Sequence, residues 1–405
     1  MLEASGRRAQ TSSLPPPASF LDTRAGMFTL SDDQKALVDA TRATSLAELA
    51  STVKEDDERE HFRKELFHRL GAAGLCGVQT AEQWGGLGLG YVEYALVIEE
   101  IAKVAPAYAV SVAVSGLPQV ILAQFGNDEQ KATWMPGLAA GELLGAFALS
   151  EPGSGSDASA LRTTAVRDGE NYRLNGTKFW ITHGGYADVY VVMARTGGPG
   201  PKGISAFLVA KDTPGLSFGK KEEKMGLRAS PTVEMILEDA VVPVANRIGP
   251  EGNGFSVAMS ALDSGRITIA ATAVGISQAA MDCAGRYAIT RKQFDQAIID
   301  FQAVGFMLAD MAVRIEQARL VTHKAAWLKD NKLPFSHIAA MAKCAATDCS
   351  MAVTTDAVQV LGGYGYTREY PVERLMRDAK VMQIVEGTNQ VQRVVIARHL
   401  KRGWE

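Results

Sequence analysis

The sequence is poor in the residues that build several common kinds of functional site. Its 405 residues include four cysteines, which form neither a CxxC pair nor the spacing of a metal site, so no metal and a reducing compartment are predicted. The 42 Lys and Arg residues are offset by 45 Asp and Glu residues, which argues against nucleic acid as a partner. No apolar run stands out as long enough to span a membrane. No Rossmann dinucleotide fingerprint is present. We therefore expect a soluble, cytoplasmic protein.

Proline is also absent between Pro250 and Pro334. The long amphipathic runs in that interval are typical of an antiparallel helix bundle. Residues 31–145 carry helical spacing too. Between these two zones lie short β-branched runs bounded by Gly, Pro and Asp, as strands are. The pattern predicts an α+β protein with an α-helical domain at 27–145, a β domain at 146–250 and a second α-helical domain at 251–405.

The first 26 residues differ from the rest in composition. The segment SSLPPPAS at 12–19 cannot form a packed element, and Met27 then precedes a helix pattern for which Ser31 is a suitable N-cap. We interpret residues 1–26 as a disordered extension or a product of an upstream start codon. A mitochondrial transit peptide is the alternative and would place the protein in the mitochondrial matrix, but Glu3 and Asp22 weaken it.

The most informative segment is RDAKVMQIVEGTNQ at 377–390. Glu386 lies in a mostly apolar run, where its charged form is disfavoured and its pKa is raised toward the range of a general base. Gly387 follows directly and allows close approach of a ligand to the backbone. The alternative is an ordinary helix end, with Glu386 directed to water and Gly387 as the C-cap.

Three segments together resemble the acyl-CoA dehydrogenase family, most closely its short-chain, butyryl-type group. They are FALSEPGSGSD at 147–157, KFWITHGG at 178–185 and QVLGGYGYTREYPVERLMRDAKVMQIVEGTNQVQR at 359–393, and the resemblance extends from about residue 28 to the C-terminus. It implies an N-terminal all-α domain, a middle β domain and a C-terminal four-helix bundle. It also implies FAD as cofactor, an acyl-CoA substrate, an electron-transfer flavoprotein as electron acceptor and a homotetramer built as a dimer of dimers.

The resemblance assigns roles to individual residues. Glu386 would be the catalytic base, and Ser156, Arg266 and Gly387 would contact the substrate. The FAD ligands would be Phe147, Leu149, Ser150, Ser156, Trp180, Ile181, Thr182, Arg291, Phe294, Gln302, Gln359, Gly362, Gly363, Thr388 and Asn389. Arg291 would bind the pyrophosphate of FAD. Gly362 and Gly363 would contact the same FAD from a different subunit.

This chain departs from the family pattern at two positions. His183 replaces the usual asparagine after the Trp-Ile-Thr segment, and it either tunes polarity near the flavin or is neutral. Asp295 replaces the usual glycine after Phe294 and is expected to point away from the FAD pyrophosphate, because a carboxylate beside phosphate is unfavourable.

The implied reaction removes the α-proton of the acyl thioester to Glu386 while a hydride leaves the β-carbon for the flavin. Some family members place the base just before the arginine of the first bundle helix, but here that residue is Gly265 and carries no carboxylate. Members that act on glutaryl-CoA bind the distal carboxylate with an arginine, which Ala109 replaces here. A short- or medium-chain or branched monocarboxylic acyl-CoA is therefore the expected substrate, although Arg228 or Lys103 could supply the missing cation.

Two alternatives remain open at this point. The same fold serves flavin oxidases and monooxygenases and desaturases of carrier-protein-bound acyl groups. A helical scaffold that has lost its flavin and its activity is the second alternative. The retained Glu386, Arg291 and Trp180 argue against that scaffold.

Overall fold

The computed structural model describes residues 29–405, so the predicted extension at 1–26 lies outside the described residues. Six helices come first, and Ser31 caps the first of them in a capping box with Gln34, which confirms the predicted N-cap. The six are α1 (Asp32–Glu48), α2 (Val53–Arg59), α3 (Lys64–Ala72), α4 (Tyr91–Val104), α5 (Pro106–Phe125) and α6 (Asp128–Ala139).

Eight strands follow and form one mixed sheet. The strands are β1 (Gly145–Ala148), β2 (Thr164–Asp168), β3 (Asn171–Thr182), β4 (Val189–Arg195), β5 (Ile204–Ala210), β6 (Leu216–Lys221), β7 (Thr232–Pro243) and β8 (Arg247–Ile248). Their order is β6-β7-β3-β2-β4-β5-β8, and β1 pairs with β4 in parallel. The antiparallel register of β3 on β7 slips between Lys178 and Ile181, so Trp180 lies at a bulge.

The remainder of the chain is helical apart from a two-stranded hairpin. The elements are α7 (Gly254–Thr290), β9 (Lys292–Gln293), β10 (Gln296–Ala297), α8 (Gln302–Asp330), α9 (Ser336–Leu361), α10 (Gly363–Tyr366), α11 (Val372–Met382) and α12 (Asn389–Trp404). The predicted order of a helical, a β and a second helical part is confirmed. Helix α7 is the central element, since α4, α5, α8, α9 and α11 all pack against it.

Helices α5 and α7 are long and apolar enough to cross a membrane by length and composition. The expectation that no apolar run reaches that length is therefore wrong. Within the most apolar 18-residue stretch of each helix, 83% of the stretch in α5 and 72% of the stretch in α7 is buried inside the protein. Their apolar side chains form the core in which the candidate site lies.

Candidate active site

Glu386 lies in the short connection between α11 and α12, and its backbone is left-handed, with a φ of 54°. Gly387 follows with a φ of 86°, and the side chain of Thr388 caps α12 by accepting a hydrogen bond from Val391 N at 3.2 Å.

The C-cap of α11 is Gln383, not Gly387. The alternative of an ordinary helix end is wrong, because the carboxyl oxygen Oε2 of Glu386 is buried and has no hydrogen-bond partner among residues 29–405.

The surroundings of that carboxyl group alter its acidity. Burial raises the pKa of Glu386 to about 7, although the charges of Arg266 and Lys343 oppose the rise. Gly265 on α7 lies directly against it, since a Cβ at that position would be 2.6 Å from Oε2. A carboxylate with a pKa near neutrality can accept a proton from a bound molecule.

Arg266 follows Gly265 on α7 and is buried. Its guanidinium forms a close ion pair with Asp263 one turn earlier, while its Nε atom has no hydrogen-bond partner in the described part of the chain. The structure thus brings together three of the residues predicted from sequence, Glu386, Gly387 and Arg266, and adds Asp263 beside them.

A hydrogen-bond network fixes the backbone of the Glu386 segment. Lys343 on α9 donates to the carbonyl oxygen of Gly387 at 3.0 Å and to Oδ1 of Asn389 at 2.8 Å. Gln392 on α12 donates from Nε2 to the carbonyl oxygens of Glu386 at 3.0 Å and Gly387 at 2.9 Å. Asn389 therefore anchors this connection through its side chain. The sequence predicted Asn389 only as a residue that contacts FAD. Such anchors are needed to hold a non-glycine residue in left-handed backbone.

The predicted loop after β1 is held by a buried ion pair. Nζ of Lys178 lies 2.7 Å from Oε1 of Glu151 and donates to the carbonyl oxygen of Leu149 at 3.1 Å. Glu151 also accepts from the backbone N–H groups of Arg162 at 2.6 Å and Thr163 at 2.9 Å. The ion pair ties the predicted flavin residues Phe147, Leu149 and Ser150 to the strand that carries Trp180, Ile181 and Thr182.

Trp180 is left exposed by the rest of the chain, with 59% of its surface accessible and a φ of 63°. Left-handed backbone at a residue other than glycine costs energy and is common at ligand-binding sites. Ser156 is exposed as well, in a loop where Gly153 and Gly155 have no neighbouring atoms within reach of a Cβ. This surface is open to a large planar group.

His183, by contrast, belongs to the protein interior. Its ring stacks on Phe62 with centroids 5.5 Å apart and meets Phe67 edge-on. Its Nδ1 lies 3.0 Å from the carbonyl oxygen of Gly145, and burial lowers the pKa of the imidazole to about 4. His183 is therefore neutral at physiological pH and joins α3 to the sheet.

A second group of predicted residues lies at the far end of α7. Phe294 and Asp295 are the two turn residues of the β9–β10 hairpin, with φ angles of 50° and 64°. Because position 295 has left-handed backbone, glycine is well suited to it. Aspartate also tolerates this conformation, so Asp295 can occupy the position. Phe294 is 89% exposed and Asp295 is exposed as well.

Arg291, Gly362 and Gly363 line one pocket of about 440 Å³ beside this hairpin. The prediction that Arg291 and the glycine segment belong to different subunits of one FAD site is wrong, because a single chain brings them together. Arg291 directly follows α7 and is 25 residues beyond Arg266, so this pocket lies about 37 Å from Arg266 along the helix. The pocket of Arg291 is thus separate from the group of Glu386, Gly387 and Arg266.

Several residues that shape the site were missed from the sequence, notably Lys343, Gln392, Lys178 and Asp263. Lys343 carried one signal that could have been used. It is a lone charge in the small-residue run AAMAKCAAT, where a helix is expected to be buried. In the described residues no group of three or more His, Cys, Asp or Glu side chains is placed to hold a metal ion.

Three family models match the chain in succession. The acyl-CoA dehydrogenase N-terminal domain matches residues 31–142, the middle domain residues 146–240 and the C-terminal domain residues 252–401. The chain belongs to the acyl-CoA dehydrogenase family. An acyl-CoA dehydrogenase of Bacillus subtilis is 47% identical over 88% of this chain and 94% of its own length. The short-chain specific acyl-CoA dehydrogenase of Clostridium acetobutylicum is 44% identical over 93% of this chain and 100% of its own.

Solved structures of this acyl-CoA dehydrogenase fold agree. Butyryl-CoA dehydrogenase of Megasphaera elsdenii is 43% identical and matches 92% of this chain and 99% of its own with a TM-score of 0.91. A chain in a structure of the electron-transferring flavoprotein of Acidaminococcus fermentans is 47% identical, with the same coverage and TM-score. A prolyl acyl carrier protein oxidase is 32% identical, covering 92% of this chain and 100% of its own with a TM-score of 0.89.

Proposed function

We propose that this acyl-CoA dehydrogenase uses FAD to convert a short- or medium-chain or branched monocarboxylic acyl-CoA into the trans-2-enoyl-CoA, with Glu386 as the base. The observation that carries this proposal is the carboxyl group of Glu386, whose Oε2 atom is buried without a hydrogen-bond partner among the described residues and whose pKa is raised to about 7. The identity of 43–47% to dehydrogenases, against 32% to the carrier-protein oxidase, favours dehydrogenation over oxidase chemistry.

The exposed groups of this chain fit FAD in two places. Trp180, Thr182 and the Ser156 loop offer an uncovered aromatic face and hydroxyl groups to a flavin ring. The second place is the pocket of Arg291, whose guanidinium makes no ion pair within the described chain and faces a glycine-lined wall. A guanidinium with free donors suits a pyrophosphate. When bound, FAD would supply the acceptor for the hydride that leaves the substrate β-carbon.

In the proposed reaction, Glu386 removes the α-proton of the thioester. That proton is weakly acidic, so negative charge on the thioester oxygen needs hydrogen-bond donors. The backbone N–H of Glu386 donates to no group within residues 29–405 and is available for this oxygen. Arg266 supplies positive charge beside the carboxylate. Closure of the site by substrate excludes water and strengthens both interactions.

The two groups of FAD residues support an assembly of more than one chain. The pocket of Arg291 lies about 37 Å along α7 from Arg266, which is beside Glu386. We infer that the pocket of Arg291 in one chain completes the flavin site of another. Exposed apolar residues recur every seven positions along α8, as expected for a helix that packs on a second chain: Phe306, Val313, Leu320 and Trp327. These features favour a homotetramer built as a dimer of dimers. The similar chain in the structure of the Acidaminococcus fermentans electron-transferring flavoprotein favours such a flavoprotein as the electron acceptor.

The region of Ala109 argues against a dicarboxylic substrate. Ala109 is fully buried on α5. Lys103, which could have replaced the missing arginine, is already paired with Glu99 and Glu100. Arg228 is likewise paired with Glu60 at 2.8 Å. The alternative cations are therefore neutralised by carboxylates of the protein itself.

Anaerobic titration of the purified flavoprotein with a panel of acyl-CoAs tests the proposal. We expect butyryl-CoA or a neighbouring monocarboxylic ester to bleach the flavin absorbance, and the reduced enzyme to be reoxidised slowly by oxygen and rapidly by an electron-transfer flavoprotein. Absence of bleaching by every CoA ester, or fast reoxidation by oxygen, would contradict it.

A further inference from the structure

The ammonium group of Lys343 is buried and forms no ion pair with a carboxylate of the described residues. The whole side chain is inaccessible, and its two hydrogen bonds go to neutral acceptors, the carbonyl oxygen of Gly387 and Oδ1 of Asn389. A charge in the protein interior is costly unless an opposite charge compensates it. The complementary charge must therefore lie nearby without touching the ammonium group.

Glu386, the residue directly before Gly387, also lacks an ionic partner within residues 29–405. Its Oε2 atom is buried and accepts no hydrogen bond from the described residues. Lys343 is thus a buried ammonium group and Glu386 a carboxyl group with one buried oxygen, neither has a direct ionic partner, and the carbonyl group that Lys343 binds belongs to the residue after Glu386.

The other charges around the pair are already compensated. On α7, Arg266 is paired with Asp263. Asp348 on α9 accepts from Asn389 at 2.7 Å and is paired with Arg393 of α12 at 2.8 Å. Lys343 and Glu386 are thus the charged groups here without a direct ionic partner, and Lys343 acts on Glu386 together with Arg266.

We propose that Lys343 is a positioning residue for the base, which fixes the carbonyl group of Gly387 and keeps the Glu386 carboxylate ionised although it is buried. The inference rests on the proposed role of Glu386. The geometry supports both parts: Gln392 shares the task of binding the two carbonyl groups, but Lys343 alone among these donors carries a charge.

The acid–base properties of the two groups agree with this role. Burial lowers the pKa of Lys343 to about 8, and the charges of Cys344, Glu386 and Asp348 oppose the decrease. The ammonium form is therefore present at neutral pH. Burial alone would raise the pKa of Glu386 further than about 7 if the charges of Arg266 and Lys343 did not oppose it.

The pH dependence of kcat/KM separates this role from a merely structural one. We would measure it with butyryl-CoA and the holoenzyme between about pH 5.5 and 8.5, because kcat/KM reports the ionisation of the free enzyme. Lys343→Gln keeps an N–H donor but removes the charge. Glu386 must be deprotonated to act, so kcat/KM falls at low pH, where Glu386 is protonated; this fall is the acidic limb of the profile. Loss of the Lys343 charge should raise the pKa of Glu386 and move the acidic limb to higher pH by about one unit. Lys343→Arg should return the limb toward its wild-type position.

Thr347→Val is the matched control. Thr347 accepts from Nδ2 of Asn389 at 2.9 Å, so the variant disturbs the same anchor without changing any charge. We expect it to lower Tm and leave the acidic limb in place. A Lys343→Gln enzyme with a lower kcat and an unshifted limb would overturn the inference.

Two further outcomes are distinguishable. If Lys343→Gln does not bind FAD, Lys343→Met removes the same charge while filling the same space, and its limb should also move to higher pH; an unmoved limb overturns the inference. A wild-type enzyme that no acyl-CoA bleaches would refute the proposed function instead. A bleached wild type with a limb that Lys343→Gln does not move refutes only the role of Lys343.

Discussion

Gly265 and Glu386 occupy adjoining space so closely that a Cβ on Gly265 would lie 2.6 Å from Oε2 of Glu386. The family resemblance implies that some members carry the base at the position of Gly265, and here a side chain at 265 would displace the carboxyl group of Glu386. The absence of a carboxylate at 265 and the presence of one at 386 are therefore two aspects of one packing arrangement.

The first prediction follows from that contact. Gly265→Ala should lower kcat/KM by about tenfold to a hundredfold, because the methyl group forces the Glu386 carboxyl group out of position and such displacements are costly in catalysis. FAD content should be unchanged. Gly285→Ala lies on the same helix and meets no atom within 4 Å, so its kcat/KM should equal that of the wild type. Equal activity of the two variants would show that the contact does not matter.

Removal of the base itself gives the second prediction. Glu386→Gln should retain FAD, yet acyl-CoA should no longer bleach it, since general-base catalysis contributes about 10²–10⁴. Single-turnover absorbance measurements under anaerobic conditions are the check. More than about a hundredth of wild-type turnover would rule out Glu386 as the base.

The sequence predicted local features well and distant contacts poorly. The order of helical and β parts, Ser31 as a cap and Glu386 as a candidate base all depend on spacing or on neighbouring residues, which a sequence displays directly. Lys343 could not be found in this way, because only folding places it against Gly387. The pocket that joins Arg291 to Gly362 was missed for the same reason.

Conformation was equally hidden. No periodicity distinguishes a glutamate with left-handed backbone from one at a helix end, and the difference decides whether Glu386 points inward. The roles assigned by resemblance to Gln302, Gln359, Phe294 and Thr388 remain predictions, because they concern contacts with FAD.

The third prediction concerns stability. Since the pKa of Glu386 is raised in the folded protein, ionisation at higher pH disfavours folding, and the cost grows as pH rises from its unfolded pKa to about 7. Glu386→Gln should therefore stabilise the holoenzyme at pH 8 by up to about 3 kcal/mol, or about 3 °C in Tm. The difference should shrink to below about 1 kcal/mol at pH 5. Calorimetry of both proteins at the two pH values tests this, and a difference independent of pH would contradict it.

The fourth prediction concerns assembly. Light scattering should give the mass of a tetramer for the holoenzyme. Leu320→Lys places a charge in the exposed apolar row of α8, and burying an unpaired charge in an interface costs several kcal/mol, so this variant should dissociate to a smaller species. Val166→Lys alters an apolar side chain on β2 that is more exposed than Leu320 and should leave the mass unchanged. A stable holo-monomer of the wild-type chain would contradict the shared flavin site.

The fifth prediction concerns specificity. A second carboxylate on the substrate would be buried near Ala109 without a cation, because Lys103 and Arg228 are paired with Glu100 and Glu60. An unpaired buried charge costs several kcal/mol, whereas each buried methylene contributes only about 0.8 kcal/mol. The charge therefore dominates, and kcat/KM for the best monocarboxylic ester should exceed that for glutaryl-CoA by at least about tenfold. Steady-state kinetics with matched chain lengths are the measurement. Glutaryl-CoA as the best substrate would refute this view of the pocket, while Glu386 would keep its role as the base.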